Sequence, residues 1–92
     1  MPIIVAGKLI IKPELRDEFI TKSQESIQLA RSNTACEDFS VSPDAIDSNR
    51  VNIFEKWQSY TALKAFRDSG PDSDLFSLVE SFEVKEYEVN SE

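Results

Sequence analysis

The sequence predicts an α+β domain in which four antiparallel strands form one sheet and helices cover one of its faces. Two segments, Ala35 to Ser42 and Arg50 to Trp57, alternate apolar and polar residues with the period of a strand, and a third, Pro2 to Lys12, is dense in β-branched residues. Between and after them, apolar residues recur at the three- or four-residue spacing of a helix. The predicted order is β-α-β-β-α-β, the ferredoxin-like arrangement.

The first predicted strand, Pro2 to Lys12, is rich in β-branched residues and has apolar residues on both faces. One face carries Ile3, Val5, Gly7, Leu9 and Ile11. The other face carries Ile4, Ala6, Lys8 and Ile10. Because helices on one side of a sheet cover only one face, we expect a second copy of the chain to cover the other.

A first helix is predicted directly after this strand. Pro13 and Glu14 favour a helix start, because proline and acidic residues are common in the first turn. The following apolar residues recur at helical spacing, at Leu15, Phe19, Ile27 and Ala30. Turn-forming residues from Arg31 to Thr34 mark its end.

The strand from Arg50 to Trp57 follows a turn-rich connection, Pro43 to Asn49, which is typical of a hairpin. Its alternation predicts one face that carries Val51, Ile53, Glu55 and Trp57. We expect this face to lie beneath the helices.

The C-terminal part is predicted to contain two short helices and a last strand. Ser59 is a favourable N-cap for a helix that extends to about Asp68. Asp72 to Asp74 can cap another short helix that reaches Phe82. The residues Glu83 to Val89 then form the last strand.

The composition restricts the class of protein. A chain of 92 residues predicts a single domain over residues 1–92. Cys36 is the only cysteine, which excludes an internal disulfide, and the absence of histidine disfavours a thiolate or imidazole metal site. Small domains without these supports often gain stability by oligomerisation, so we expect a homodimer.

The charge of the chain bears on its partners and location. Ten basic and 17 acidic residues give a formal net charge of -7, which disfavours nucleic acid and anionic membrane partners. No apolar segment has membrane-spanning length, and the N-terminal residues lack the pattern of a signal peptide. We therefore expect a cytoplasmic location.

Several segments, in this order, resemble one known family. They are Val5 to Leu9, Lys12 to Phe19, Cys36 with Ser40 and Val41, Asn49 to Trp57, and Ser59 to Leu63. Together they resemble the antibiotic biosynthesis monooxygenase (ABM) family, which includes quinol monooxygenases. The resemblance covers nearly the whole chain, and its most specific element is the pair Glu55 and Trp57 ahead of the Ser59-capped helix.

The resemblance implies a dimeric α/β barrel with a pocket between each sheet and its own helices. It also implies oxidation of a quinol or related aromatic, polyketide-like substrate by molecular oxygen, without a metal, haem or flavin cofactor. Phe66 stands where the resembling enzymes commonly carry histidine, and Gly7 stands where haem-degrading members carry asparagine. Those members also use an iron-ligating histidine that this sequence lacks. Trp57 alone of the haem-site residues is retained, which disfavours haem degradation.

Trp57 and Glu55 are the candidate catalytic residues. Trp57 could stack on a substrate and orient its oxygen through the indole N–H, or it could fill the core. Glu55 could accept a phenolic proton if burial raises its pKa, or it could form an ordinary ion pair.

Seven residues on the faces assigned to the pocket are candidate substrate-binding residues: Val5, Gly7, Phe39, Ile53, Leu63, Phe66 and Phe76. Gly7 could leave room for a ligand because it has no side chain. The three phenylalanines could contact the ligand or pack in the core.

Two functions are open from the sequence. The first is a cofactor-independent monooxygenase that acts on a quinol or related aromatic. The second is a non-catalytic dimeric barrel that binds a small hydrophobic molecule or serves as an assembly module. The second is favoured by Phe66 in place of histidine and by the lack of another ionisable pair in the predicted pocket.

Overall fold

The four strands of the chain form one antiparallel sheet in the order β2-β3-β1-β4. The structure, a computed structural model, describes residues 1–69 and 75–90. The elements are β1 (Ile3–Ile11), α1 (Arg16–Arg31), β2 (Cys36–Pro43), β3 (Arg50–Trp57), α2 (Tyr60–Ser69), a short 3₁₀ helix (Leu75–Leu78) and β4 (Val79–Glu88). The predicted α+β, ferredoxin-like order is confirmed.

The alternation of β1 decides which side chains lie beneath the helices. Its helix-facing residues with side chains are buried: Ile3, Val5, Leu9 and Ile11. The residues between them, such as Ile4 and Ala6, are only half-buried. We call the side beneath the helices the inner face and the opposite side the outer face.

The strand register aligns residues of three strands in rows across each face. On the inner face, Val5 of β1 lies between Glu55 of β3 and Glu86 of β4. On the outer face, Ala6 pairs with Phe54, and Ile4 pairs with Tyr87. The row through Val5 brings β3 and β4 carboxylates to the same side of the sheet.

Two apolar clusters form the core between the inner face and the helices. The first consists of Ile3, Val5, Ala30, Phe39, Trp57 and Leu63. The second consists of Leu9, Ile11, Phe19, Val51 and Leu78. Since complete burial of one large apolar side chain contributes about 1.5–3 kcal/mol, these clusters are a main source of stability.

The helix starts partly match the prediction. Ser59 Oγ accepts a hydrogen bond from the Ala62 amide at 3.1 Å, which confirms the predicted N-cap of α2. The start of α1 is later than predicted, at Arg16, because Glu14 adopts a φ of 69° that a helix cannot include. None of the helices in the described ranges is both long and apolar enough to cross a membrane.

The start of β4 corrects the prediction for the C-terminal part. A short helix reaching Phe82 was predicted, but the 3₁₀ helix ends at Leu78 and β4 begins at Val79. The apolar spacing in this segment suits a helix, yet Val79 pairs with Ile11 and Phe82 pairs with Leu9 in the sheet. Tertiary pairing with β1 therefore outweighs the local pattern. The predicted cap, residues 72–74, lies outside the described residues.

Candidate active site

A cavity of about 240 Å³ lies between the inner face and the helices. Its apolar lining residues are Leu9, Phe19, Phe39, Val41, Phe66, Leu75, Phe76 and Val79. Its polar lining residues are Ser23, Ser26 and Glu55. The cavity lies where the two core clusters meet, since Phe39 belongs to the first cluster while Leu9 and Phe19 belong to the second.

One oxygen of the Glu55 carboxylate accepts a hydrogen bond from Trp57, and Glu55 lines the cavity. Glu55 and Trp57 lie two residues apart on β3, so their side chains project from the same face. Trp57 Nε1 donates a hydrogen bond to Glu55 Oε1 at 2.9 Å. The described residues supply no donor to Oε2, and they contain no buried, unpartnered side-chain oxygen. Glu55 lines the cavity, and among the described residues its Oε2 receives no hydrogen bond.

The surroundings of Glu55 raise its pKa above the ordinary value of 4.5. Burial is the main cause, because it disfavours the charged form, and the negative charge of Glu86 acts in the same direction. The hydrogen bond from Trp57 and the positive charge of Arg67 oppose this rise only in part. The ionised Glu55 is therefore a stronger base than a glutamate in water.

Arg67 of α2 forms an ion pair with Glu86 of β4 and not with Glu55. Its Nη1 lies 2.8 Å from Glu86 Oε2. Glu86 is two strands away from Glu55, which corresponds to roughly 10 Å at the usual strand spacing. Among the described residues, Trp57 is thus the hydrogen-bond partner of Glu55, and Arg67 influences Glu55 only through its charge.

Trp57 is buried too deeply to stack on a ligand in the cavity, as the sequence had suggested. Its side chain is 0% exposed, and it is not among the residues that line the cavity. The ring of Phe66 packs against it, with 5.0 Å between the ring centroids. The indole N–H is hydrogen-bonded to Glu55, so Trp57 contacts the lining of the cavity through that carboxylate.

The predicted substrate-binding residues divide into two groups. Phe39, Phe66 and Phe76 line the cavity together with Glu55. The other three with side chains lie outside its lining: Val5 and Leu63 in the first core cluster, and Ile53 against the second.

Gly7 does not provide the space for a ligand that its missing side chain suggested. A Cβ atom at this position would lie 2.1 Å from the carbonyl oxygen of Glu83 and 2.6 Å from Val84 Cα. Both atoms belong to β4, which approaches β1 closely at this point. The glycine therefore accommodates the neighbouring strand.

Two serines on α1 line the cavity and were not among the predicted site residues. Ser23 is buried and donates its hydroxyl to the Ile20 carbonyl at 2.8 Å, while Ser26 is half-buried. Ser23 stands four residues after Phe19, where the apolar stripe of α1 would place another apolar side chain. This interruption was the signal in the sequence that could have identified it.

A family model described as "Antibiotic biosynthesis monooxygenase" matches residues 2–83. Among curated proteins, the uncharacterized protein sll1783 of Synechocystis sp. is 32% identical over 97 residues. That alignment covers 96% of this chain and 63% of the relative. The chain thus spans less than two thirds of the length of this relative.

Solved structures share the fold over nearly the whole chain. Rv0793 from Mycobacterium tuberculosis superposes with a TM-score of 0.84 at 19% identity, covering 100% of this chain and 98% of that one. A Deinococcus radiodurans protein, provisionally named an antibiotic biosynthesis monooxygenase, gives a TM-score of 0.82 at 21% identity, with 98% and 94% covered. A similarly named protein of Chloroflexus aurantiacus gives 0.74 at 22% identity, with 100% and 97% covered.

Proposed function

The chain belongs to the antibiotic biosynthesis monooxygenase family, and from this premise we propose that it is a cofactor-independent monooxygenase for a small quinol or related aromatic. One observation carries the proposal. A largely apolar cavity is lined by a glutamate of raised pKa, one oxygen of which is held by Trp57 while the other receives no hydrogen bond from the described residues. This arrangement suits removal of a phenolic proton beside a bound aromatic ring.

The proposed chemistry begins with transfer of a phenolic proton to Glu55 Oε2. The resulting electron-rich anion reduces molecular oxygen, and the apolar walls limit access of water to the intermediates. For a hydroquinone, one oxygen atom becomes a ring hydroxyl and the other leaves as water. The product is a hydroxyquinone, and four electrons pass from the organic molecule to oxygen.

The dimensions of the cavity favour a substrate of one or two rings. Its volume of about 240 Å³ lies below the range of roughly 300–1,000 Å³ that is typical of pockets for drug-sized ligands. The phenylalanines among its lining residues can pack against the faces and edges of an aromatic substrate. Ser26 places a hydroxyl on the helix wall, where it can bind a second oxygen of a quinol.

The direct test is aerobic incubation of the purified protein with menadiol, a two-ring quinol. We expect oxygen uptake above the rate of autoxidation and incorporation of isotopically labelled oxygen into the product. Replacing Glu55 by Gln should lower kcat/KM by about 100-fold or more, because general base catalysis typically contributes that much.

Glu25→Gln is the matched control, since Glu25 is exposed on α1 and does not line the cavity. It removes the same charge and should leave the rate near that of the unmodified protein. Uptake no faster than autoxidation, or equal rates for the Glu25 and Glu55 variants, would contradict the proposed activity.

Binding without turnover is the second candidate function. It is favoured by one observation: Glu55 is the only ionisable side chain among the described residues that line the cavity. In that case menadiol should raise the Tm of the protein and be recovered with no enzyme-dependent product. Oxygen uptake that depends on Glu55 would exclude this function.

We also propose that the protein acts as a homodimer joined through the outer faces of two sheets. Half-buried apolar residues of β1 lie on this face, and Phe54 and Tyr87 beside them are 37% and 51% exposed. Burial of such side chains in a second copy removes apolar surface from water, which favours association.

A further inference from the structure

A second cavity lies beside α2 and shares one wall with the cavity that contains Glu55. This space, which we call the α1–α2 groove, has a volume of about 280 Å³. Its lining residues are Leu29, Ser32, Asn33, Phe66 and Ser69. Among the described residues, Phe66 alone lines both spaces, and we call it the partition between them.

Aromatic neighbours hold the ring of Phe66 in this position. Its centroid lies 5.0 Å from that of Trp57 and 6.0 Å from that of Phe39, with the Phe39 ring in an edge-to-face arrangement. Both neighbours are buried, and such aromatic pairs contribute about 0.5–1.5 kcal/mol beyond the burial of their area. The partition is therefore a packed part of the core and not a freely moving side chain.

The α1–α2 groove can accept an apolar ring. Ser32 Oγ donates to the Leu29 carbonyl at 2.9 Å, and Asn33 Oδ1 accepts from the Ala35 amide at 2.9 Å. Since these polar atoms already have partners within the chain, an apolar group beside them would not leave them unpaired. Leu29, which is 46% exposed, offers apolar surface for contact.

We propose that Phe66 determines the size of the aromatic ligand by closing the Glu55 cavity toward the α1–α2 groove. This inference rests on the proposed function for the identity of the site. With the ring in place, the space of about 240 Å³ admits two fused rings. Without it, the two cavities join into a volume within the range of roughly 300–1,000 Å³ that holds larger ligands.

Equilibrium dialysis under argon tests this role without requiring turnover, because no oxygen is present. The probes are naphthol and hydroxyanthracene, which carry two and three fused rings. The unmodified protein should bind naphthol the more tightly. The affinity of Phe66→Ala for hydroxyanthracene should be higher than that of the unmodified protein by a factor of about ten or more, since a third ring then buries additional apolar surface.

Two further variants keep the test decisive. Phe66→Leu retains an apolar side chain, so it supplies a folded protein with an intermediate gain if the alanine variant does not fold. Phe82→Ala truncates an exposed phenylalanine that lines neither cavity, and it should leave the preference for naphthol unchanged. Thermal unfolding of each variant establishes that it is folded.

The outcomes separate this inference from the proposed function. A folded Phe66 variant that gains no affinity for hydroxyanthracene, while the unmodified protein binds naphthol and oxidises menadiol, would overturn the size-determining role alone. An unmodified protein that binds neither phenol would overturn the size-determining role, and failure to oxidise menadiol as well would overturn both proposals. Equal affinity of the unmodified protein for the two phenols would likewise contradict a partition at Phe66.

Discussion

The hydrogen bond from Trp57 to Glu55 connects a core residue to a residue that lines the cavity. Burial raises the pKa of Glu55, whereas the indole N–H stabilises the carboxylate and moderates that rise. The same bond occupies one of the two carboxylate oxygens of Glu55. We therefore regard Trp57 as a positioning residue and Glu55 as the group that contacts the substrate in the proposed reaction.

Replacement of Trp57 by Phe tests this assignment through the pH dependence of activity. Without the indole donor, the pKa of Glu55 should rise further, so the acidic limb of the kcat/KM profile should move to higher pH. Glu55→Gln should lack that limb. A purely structural role of Trp57 would lower kcat/KM equally across the profile, and a limb that does not move would exclude the positioning role.

Glu55 should also make the stability of the protein depend on pH. Its folded-state pKa lies above the ordinary value of 4.5, so its contribution is fully present below about pH 4.5. This contribution is lost as the pH rises through the folded-state pKa, because the buried carboxylate then becomes charged. Urea unfolding over this window should show a declining stability that Glu55→Gln flattens. Parallel curves for the two proteins would contradict the raised pKa.

At the scale of elements, Asp44 organises the loop between β2 and β3. Its Oδ2 accepts the amides of Ile46 and Asp47 at 3.1 and 2.9 Å, and its Oδ1 accepts from Asn52 Nδ2 at 3.0 Å. These hydrogen bonds lower the pKa of Asp44 from 3.8 to about 2, and the bond from the Asp47 amide has the largest effect. Arg16 Nη1 donates to the carbonyls of Asp44 and Asp47, which fastens the loop to the start of α1.

Replacing Asp44 by Ala should therefore destabilise the protein in a pH-dependent way. Because the pKa is lowered on folding, the contribution of Asp44 is present above about pH 3.8 and is lost as the pH falls toward 2. The difference in unfolding free energy between the two proteins should shrink over this acidic range. Ser48→Ala, an exposed change in the same loop, serves as the control. A difference that is independent of pH would show that the carboxylate charge does not stabilise the loop.

The sequence predicted most elements because alternation and turn residues agree with each other. β3 has the predicted bounds, Arg50 to Trp57, since its turn and its period point to the same segment. The start of β4 was wrong because the spacing of Val79 and Phe82 suits a helix as well as a strand. Only the neighbouring strand β1, which is distant in sequence, selects between them.

The face of each site residue was predictable, but its depth was not. The strand period placed Glu55 and Phe39 toward the helices, and both line the cavity. The same period could not show that Trp57 lies beneath Phe66, because depth depends on how α2 packs against the sheet. Ser23 was not predicted to line the cavity, since the polar residue within the apolar stripe of α1 was given no role.

For the whole molecule, the proposed dimer depends on the outer face of the sheet. In an interface with two-fold symmetry, a residue near the axis meets its own copy or its close neighbours, so one substitution acts twice. Phe54 pairs with Ala6 in the middle of this face and is 37% exposed in the single chain. A charged residue at position 54 should therefore strongly affect association of the two copies.

Phe54→Glu should convert the dimer to a monomer, because burial of two unpaired carboxylates opposes association. Light scattering coupled to gel filtration should then give the mass of one chain, 10.4 kDa, in place of twice that value. Ile46→Glu is the matched control, since Ile46 is 94% exposed in the loop between β2 and β3 and lies outside the sheet. A dimer that persists in Phe54→Glu, or a monomer in the unmodified protein, would contradict this interface.

Trp57 is the only tryptophan of the chain, and its indole N–H donates a hydrogen bond to the carboxylate of Glu55. Its ultraviolet emission therefore comes from a single, fully buried indole whose immediate electric field changes when Glu55 gains or loses a proton. The protein thus carries an intrinsic optical indicator of the charge in its own cavity. Emission recorded during a titration can follow ionisation of that one group without an added dye.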